Sequence, residues 1–187
     1  LGDASYLNPV LATDSASAKI NNLVFNGLVK YDKDINLVGD LAERWSVSDD
    51  GRTIIFYLRK GVFWHDGEPF TAKDVKFTYE KLIDPNTRTP YSSDYQLVKS
   101  FEILDPYAVK VTYHRPFAPA IESWGMGIIP RHIFDDGNDF NTHPANRKPV
   151  GTGPFIFREW KTDEKLTLVS NENYFEGRPP IRMVVNR

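Results

Sequence analysis

Residues 41–83 read LAERWSVSDDGRTIIFYLRKGVFWHDGEPFTAKDVKFTYEKLI, and this stretch decides the fold. Two strands are predicted in it, at residues 44–48 and 52–59, with the turn Asp49-Asp50-Gly51 between them. Aspartate hydrogen-bonds its own backbone in turns, and glycine adopts a positive φ without strain. The second strand is apolar at odd and even positions alike, which favours burial of both its faces. The stretch therefore predicts a largely buried β-hairpin.

A helix is predicted to follow the hairpin. Thr71 is a typical N-cap, and Asp74 stands three residues later, at the spacing of a capping box. Phe70 and Val75 have the spacing of a hydrophobic staple across the same helix start. The helix is expected to end before Pro85, because the residue that precedes a proline avoids the α conformation.

The rest of the chain continues with short elements. Residues 15–29 favour a helix, since apolar side chains recur along one stripe. Residues 98–104 and 108–114 alternate as strands do, and with the hairpin they predict a small antiparallel sheet covered by the helix that Thr71 caps. Three further strands are predicted near the end of the chain, at residues 155–160, 166–170 and 181–186.

Composition excludes several classes of function. The 187 residues are 41% hydrophobic and 26% charged, as in globular proteins, and the net charge of −2 argues against a nucleic-acid partner. No window contains the roughly 18 consecutive apolar residues that a membrane span needs. The absence of cysteine excludes disulfides, thiolate metal sites and cysteine nucleophiles.

The polar residues show no catalytic or metal-binding pattern. The four histidines, at positions 65, 114, 132 and 143, lack metal-ligand spacing. The carboxylates of residues 41–83 fall in turns and at a helix cap, where aspartate has structural roles. No nucleophile elbow is present. We therefore expect no enzyme activity, no bound metal and no cofactor.

The segment VGTGPF at residues 150–155 is the best local candidate for ligand contact. Gly151 and Gly153 flank Thr152, and such a segment permits close approach to a ligand, whose oxygens backbone N–H groups can bind. The same residues also fit a tight turn that leads into the strand at Phe155. Both interpretations are open from the sequence.

The order LAERW, DDGRTIIFYLRKGVFWHDGEPFTAKDV and FTYEKL resembles the signature block of the family 5 solute-binding proteins. These are the peptide- and nickel-binding receptors of bacterial ABC importers. The resemblance implies an α/β (α+β) fold, the periplasmic-binding-protein type II lobe. Residues 1–40 and 150–187 would form parts of ligand-binding lobe I. Residues 41–149 would form an inserted subdomain of a small antiparallel sheet plus helix.

The resemblance also implies where the ligand lies. Family members open with a stretch similar to Tyr6-Leu7-Asn8, beside the cleft, and carry a segment similar to residues 151–153 where the lobe meets the cleft. Trp124 precedes Gly125-Met126-Gly127, an apolar segment that we expect at the cleft. The competing interpretations are a surface loop for residues 6–8 and a core position for Trp124.

The implied function is that of the substrate-binding component of an ABC importer. Its partners would be a peptide or related small solute and an ABC permease, and it would be a monomer in the periplasm or another extracytoplasmic, membrane-associated location. Family members are far longer, so the 187 residues are expected to supply the N-terminal part, without a second lobe, and to bind peptide weakly or not at all. A carbohydrate-binding module or glycoside-hydrolase fragment is the alternative, which requires a planar row of exposed aromatic side chains.

Overall fold

The computed structural model describes residues 4–186. Its helices are α1 (Ser15–Val24), α2 (Ala72–Ile83), α3 (Ser92–Tyr95), α4 (Ala120–Ser123) and α5 (Arg131–Phe134), with 3₁₀ turns at Phe140–Thr142 and Pro144–Asn146. Its strands are β1 (Val29–Tyr31), β2 (Leu37–Gly39), β3 (Ala42–Val47), β4 (Thr53–Leu58), β5 (Val98–Asp105), β6 (Ala108–Tyr113), β7 (Phe155–Lys161), β8 (Lys165–Ser170) and β9 (Met183–Asn186). The predicted mixed α and β fold with antiparallel sheets is confirmed.

The predicted hairpin forms one side of a four-stranded antiparallel sheet in the order β3-β4-β6-β5. Gly51 turns the hairpin with a φ of 68°. Burial along β4 alternates: Ile54, Phe56 and Leu58 are buried, and the residues between them are half-buried. The expected cover on both faces of β4 is therefore complete on one face and only partial on the other. On the less covered face, the Arg44 guanidinium stacks on the Tyr57 ring at 3.6 Å.

Helix α2 begins with the predicted capping box. The Thr71 N–H donates to the Asp74 carboxylate at 3.0 Å, and the Thr71 hydroxyl accepts the N–H of Lys73 at 3.4 Å. The Asp74 carboxylate also accepts the Trp64 indole N–H at 3.3 Å and the Arg131 backbone N–H at 3.0 Å. Asp74 thus links the helix start to the loop before it and to α5.

Helix α1 ends at Val24, five residues before the predicted end. The Phe25 N–H still bonds the Asn21 carbonyl, but Phe25 itself is extended. The Leu28 N–H then bonds the Trp124 carbonyl at 2.8 Å instead of a helical partner. The chain turns into the short hairpin β1–β2, which the sequence pattern did not predict.

The third sheet contains β7, β8 and β9 in that order, all antiparallel. A single hydrophobic core includes Leu28, Val109, Trp124 and Leu168, which come from both proposed parts of the chain. The predicted division is into lobe residues 1–40 and 150–187 and an inserted subdomain of residues 41–149. It stays a prediction, and the two parts share one hydrophobic core.

Candidate ligand-binding surface

The opening segment, residues 4–14, is fixed to the start of α1. The Ser17 hydroxyl oxygen accepts the backbone N–H of Ser5 at 2.9 Å and that of Tyr6 at 3.2 Å. Asp14 caps α1 by accepting the Ser17 N–H at 2.7 Å. Against the opposing effect of burial, hydrogen bonds from Ser17 and Ser5 lower the pKa of Asp14 to about 2. The opening segment is thus held by an ionised cap.

A second set of hydrogen bonds fastens the middle of the opening segment. The Leu7 N–H donates to the Asn146 carbonyl at 2.8 Å, and the Asn8 amide donates to the Asn146 side-chain oxygen at 2.9 Å. Leu7 and Asn8 are 1% and 0% exposed, whereas the neighbouring Tyr6 is 40% exposed. Of the three predicted contacts in this segment, only the Tyr6 side chain is open to a ligand.

One hollow borders the opening segment, and a second is linked to it by a hydrogen bond. One, of about 300 Å³, is bordered by Ser5, Tyr6 and the loop of residues 141–147. The other, of about 310 Å³, is lined by Tyr91 and Met126 among others. The Tyr91 hydroxyl donates to the Ala12 carbonyl at 2.5 Å, which joins this hollow to the far end of the opening segment. The opening segment therefore lines the first hollow, and the second is linked to it through the Tyr91 hydroxyl.

Tyr91 and Met126 were not among the predicted ligand contacts. Tyr91 is 39% exposed and follows Pro90 in a polar, irregular stretch of the sequence. The sequence signal for Tyr91 is a large aromatic residue in a polar stretch, where no predicted helix or strand would bury its ring in the core. Met126 lies in the segment Gly125-Met126-Gly127, which was expected at the cleft, but only Trp124 before it was named as a contact.

The predicted glycine loop, residues 150–153, is buried against the end of α1. The Gly153 N–H donates to the Val24 carbonyl at 2.8 Å. A Cβ placed on Gly151 would lie 1.8 Å from the Val24 carbonyl oxygen, and one on Gly153 would lie 2.6 Å from it. Both glycines are therefore required by backbone packing inside this chain, and Thr152, at 2% exposed, is buried with them.

His65 holds the glycine loop from the other side. Its Nδ1 accepts the Gly151 N–H at 3.2 Å, its Nε2 lies 2.9 Å from the Gly153 carbonyl oxygen, and its own backbone N–H bonds the Gly151 carbonyl at 2.9 Å. These partners require a neutral ring with the proton on Nε2. Burial lowers the pKa of His65, against the opposing hydrogen bond to Gly153.

A buried polar cluster extends the loop towards the β1–β2 hairpin. The Thr152 hydroxyl donates to the Asn26 side-chain oxygen at 2.9 Å, and the Asn26 amide lies 3.1 Å from both the Asp40 carboxylate and the Tyr174 hydroxyl. Asp40 is 3% exposed. Burial raises the pKa of Asp40 to about 6, because the Lys30 ammonium at 3.8 Å and the Asn26 hydrogen bond only partly offset it.

Trp124 is in the core and does not line a cleft. It is 0% exposed, its indole N–H donates to the Tyr113 hydroxyl at 3.1 Å, and its ring packs against Phe56, Tyr95 and Phe101. Additional polypeptide can only reduce the exposure of a side chain, so Trp124 has no surface for a ligand. The expected cleft position is corrected to a core position.

The tryptophans do not form the exposed row that sugar stacking requires. Trp64 is 2% and Trp124 0% exposed, Trp45 and Trp160 are half-buried, and the Arg147 guanidinium covers the Trp160 ring at 3.5 Å. The alternative of a carbohydrate-binding module is not supported. Within residues 4–186, no cluster of three metal-ligating side chains occurs, and no helix is long and apolar enough to cross a membrane.

Comparisons with known proteins place the chain among binding proteins. Residues 36–187 match the family described as bacterial extracellular solute-binding proteins, family 5 Middle. The chain is 35% identical to the oligopeptide-binding protein AppA of Bacillus subtilis over 96% of its own length and 34% of that relative's. It is 32% identical to heme-binding protein A of Haemophilus influenzae, over 96% of the chain and 37% of the relative.

The solved structures that match this chain are also solute-binding proteins, like the relatives found by sequence. The structure of AppA from Bacillus subtilis with a nonapeptide matches with a TM-score of 0.91 and 33% identity, over 98% of this chain and 38% of that one. NikZ of Campylobacter jejuni with Ni(L-His) matches equally well, over 98% of this chain and 37% of that one. The chain spans about a third of the length of the two curated relatives. It belongs to the family 5 bacterial extracellular solute-binding proteins.

Proposed function

We propose that the chain is part of the substrate-binding component of a bacterial ABC importer, and that the complete receptor binds a peptide or a related small solute between two lobes. The observation that carries the proposal is the match to a nonapeptide complex over 98% of the chain at 33% identity. The relatives include proteins named for oligopeptides and for di- and tripeptides.

Peptide is the proposed ligand class, although similar structures hold other solutes. NikZ holds Ni(L-His), and another neighbour holds agropinic acid. These ligands are all small and polar and carry amino or carboxylate groups or both. For a peptide, main-chain contacts to an extended ligand would give affinity without strong side-chain selectivity.

Within the chain, we assign ligand contact to the exposed side chains around the opening segment. Tyr6, Tyr91 and Met126 border the two hollows and are at least partly exposed. The backbone of the opening segment is held by fixed neighbours, since Leu7 and Asn8 bond Asn146. Aromatic rings on a pre-organised backbone give contact area at little entropic cost. Leu7, Asn8 and the glycine loop would act by holding this surface in place.

The test is calorimetric titration of the full-length receptor with peptides. Tyr6→Ala should weaken binding about tenfold or more, in line with the loss of a partly buried aromatic contact. Tyr31→Ala is the matched control, because Tyr31 is 50% exposed in the β1–β2 hairpin and lines neither hollow. Equal affinities for Tyr6→Ala, Tyr31→Ala and the unmodified receptor would refute the assignment of Tyr6.

The 187 residues alone should bind peptide weakly or not at all. A cleft between two lobes needs polypeptide that lies outside a chain covering about a third of its relatives' length. Saturable, tight titration of peptide into the isolated chain would contradict this expectation. The receptor is further proposed to act as an extracytoplasmic monomer that delivers its solute to an ABC permease, and light scattering of the full-length protein tests its oligomeric state.

A further inference from the structure

The hollow beside Tyr91 contains one negative charge. Its volume is about 310 Å³, and we call it the Tyr91 hollow. Among the described residues that line it, Asp94 alone is charged, and its apolar walls are Pro90, the Tyr91 ring and Met126. Pockets for whole small ligands have volumes of about 300 to 1,000 Å³. The Tyr91 hollow is therefore large enough for one side chain of a peptide rather than for the peptide as a whole.

The hydroxyl protons of the Tyr91 hollow are already used within the chain. The Tyr91 hydroxyl donates to the Ala12 carbonyl and the Tyr95 hydroxyl to the Ser123 carbonyl, both at 2.5 Å. The Ser123 hydroxyl donates to a backbone carbonyl within α4 at 2.7 Å. These three groups therefore have no proton left for the Asp94 carboxylate.

Asp94 also has no counter-ion within the described part of the chain. Its side chain is exposed, and none of the ion pairs within residues 4–186 includes it. Burial raises the pKa of Tyr95, and the nearby charges of Tyr113 and Asp94 add to the rise. A carboxylate only accepts hydrogen bonds, and a cationic donor makes the strongest ones. The Tyr91 hollow thus favours a cationic group of a ligand.

The apolar walls of the Tyr91 hollow indicate which cationic group fits. Met126 is half-buried and Tyr91 is 39% exposed. Lysine and arginine side chains pack their apolar stems along such surfaces and keep the charged head beside polar groups. An aromatic ring also attracts a cation to its face. The amino terminus of a peptide carries the charge but has no stem, so a basic side chain uses this hollow more fully.

The hollow beside Tyr6, of about 300 Å³, has the opposite charge. Arg147 lines it, and no aspartate or glutamate is among the described residues around it. The Arg147 guanidinium lies over the Trp160 ring at 3.5 Å and donates to the Thr162 hydroxyl at 2.9 Å, which holds it in place. Like charges repel, so a basic side chain of a ligand is favoured in the Tyr91 hollow and disfavoured in this one.

We infer that the Tyr91 hollow is a specificity-determining subsite for a lysine or arginine side chain of the bound peptide, with Asp94 as the counter-ion. The inference rests on the proposed function, because it requires a peptide ligand. It goes beyond that function by naming the class of peptide, one with a basic side chain at a fixed position.

Calorimetric titration of the full-length receptor tests the inference. The probes are alanine-based tripeptides and nonapeptides, the lengths that two relatives suggest, with lysine or norleucine placed at each position in turn. Norleucine keeps the apolar stem of lysine and lacks the ammonium group. At one position lysine should bind more tightly than norleucine. Asp94→Asn should weaken binding of that lysine peptide about fivefold or more and of its norleucine counterpart less than about twofold. Asp94→Glu should retain the preference for lysine.

The matched control is Asp49→Asn, because Asp49 is exposed in the β3–β4 turn and lines neither hollow. It should leave every affinity unchanged. An equal loss for lysine and norleucine peptides in Asp94→Asn would show that Asp94 acts only on the structure, and would overturn the inference. An effect of Asp94→Asn that disappears when the peptide is N-acetylated would overturn it too, since the partner would then be the amino terminus.

The same titrations separate this inference from the proposed function. An unmodified receptor that binds alanine peptides equally well with lysine or norleucine at every position would contradict the inference and leave the proposed function standing. An unmodified receptor that binds none of the peptides would refute both.

Discussion

The hairpin and helix of residues 41–83 differ from the glycine loop of residues 150–153 in how far apart in sequence their stabilising contacts lie. In the first region the decisive contacts are local: Asp74 bonds Thr71, three residues away, and Gly51 turns a hairpin of neighbouring strands. In the second region the decisive contact is with the Val24 carbonyl, which lies in the first helix of the chain. Local contacts are visible in the sequence, whereas the partner of the glycine loop is not.

The difference changes what a glycine-rich motif means for function. Glycines in a loop suggested room for a ligand, but the room is occupied by the backbone of α1. His65 and Thr152 then fix the same loop with side-chain hydrogen bonds. The glycine loop supports the candidate binding surface by holding α1, whose first turn in turn fixes the opening segment through Ser17.

Gly151→Ala should cause the largest loss of stability, because it disrupts the close packing of the glycine loop against the Val24 carbonyl. The new Cβ would lie 1.8 Å from the Val24 carbonyl oxygen, and neither backbone can move without breaking other contacts. We expect a loss of about 4 kcal/mol in the free energy of unfolding, the range of severe overpacking in a core. Urea denaturation of the full-length receptor measures it.

Gly61→Ala is the control for Gly151→Ala. Gly61 has a φ of 72° and open space around its Cα, so alanine there is strained but meets no neighbour. That strain should cost about 1 kcal/mol. If both variants cost the same, the close approach of residues 24 and 151 is not what requires glycine at position 151.

The sequence was sufficient for elements that local patterns specify. The strands of residues 98–104 and 108–114 and the capping box at Thr71 are observed as predicted, and the family resemblance is confirmed. The end of α1 was not predictable, because the Leu28 N–H leaves the helix for the Trp124 carbonyl, a partner from a distant segment. Trp124 was misjudged for the same reason: flexible glycines follow it, but its ring is enclosed by aromatic side chains from β4, α2, α3 and β5.

Asp40→Asn tests the electrostatics beside the glycine loop. The folded pKa of Asp40, about 6, exceeds the ordinary 3.8, so its contribution to stability is full below about pH 4 and is lost as pH rises through 6. Asparagine cannot ionise. The free energy of unfolding of Asp40→Asn minus that of the unmodified receptor should therefore rise by about 2.4 kcal/mol between pH 4 and pH 7.

Asp49→Asn provides the reference for this measurement, since Asp49 is exposed in the β3–β4 turn. The free energy of unfolding of Asp49→Asn minus that of the unmodified receptor should change by less than about 0.5 kcal/mol between pH 4 and pH 7. A flat difference for Asp40→Asn as well would mean that the Lys30 ammonium fully compensates the buried carboxylate, and that Asp40 is ionised throughout.

His65→Gln should have a smaller effect with the opposite dependence on pH. Folding lowers the pKa of His65 from 6.5. The contribution of His65 to the free energy of unfolding is therefore full above pH 6.5 and is lost as pH falls below that value. Loss of the ring's bonds to Gly151 and Gly153 should cost about 2 kcal/mol at pH 8, and the cost should shrink towards pH 5. His114→Gln, at an exposed position, is the control, and a cost that grows on acidification would contradict a neutral His65.

Thr71→Ala has the smallest expected effect and tests the local region alone. Alanine removes the hydroxyl that accepts the Lys73 N–H but leaves the Thr71 N–H bonded to Asp74, so the expected loss is about 1 kcal/mol. Thr71→Ser keeps the hydroxyl and should lose less than half of that. Because Asp74 also holds Trp64 and Arg131, Asp74→Ala should cost more than Thr71→Ala in the same denaturation experiment. Equal losses for the two variants would mean that Asp74 stabilises the protein only through the helix cap. The start of α2 would then depend on local contacts alone, unlike the glycine loop, which depends on the distant Val24 carbonyl.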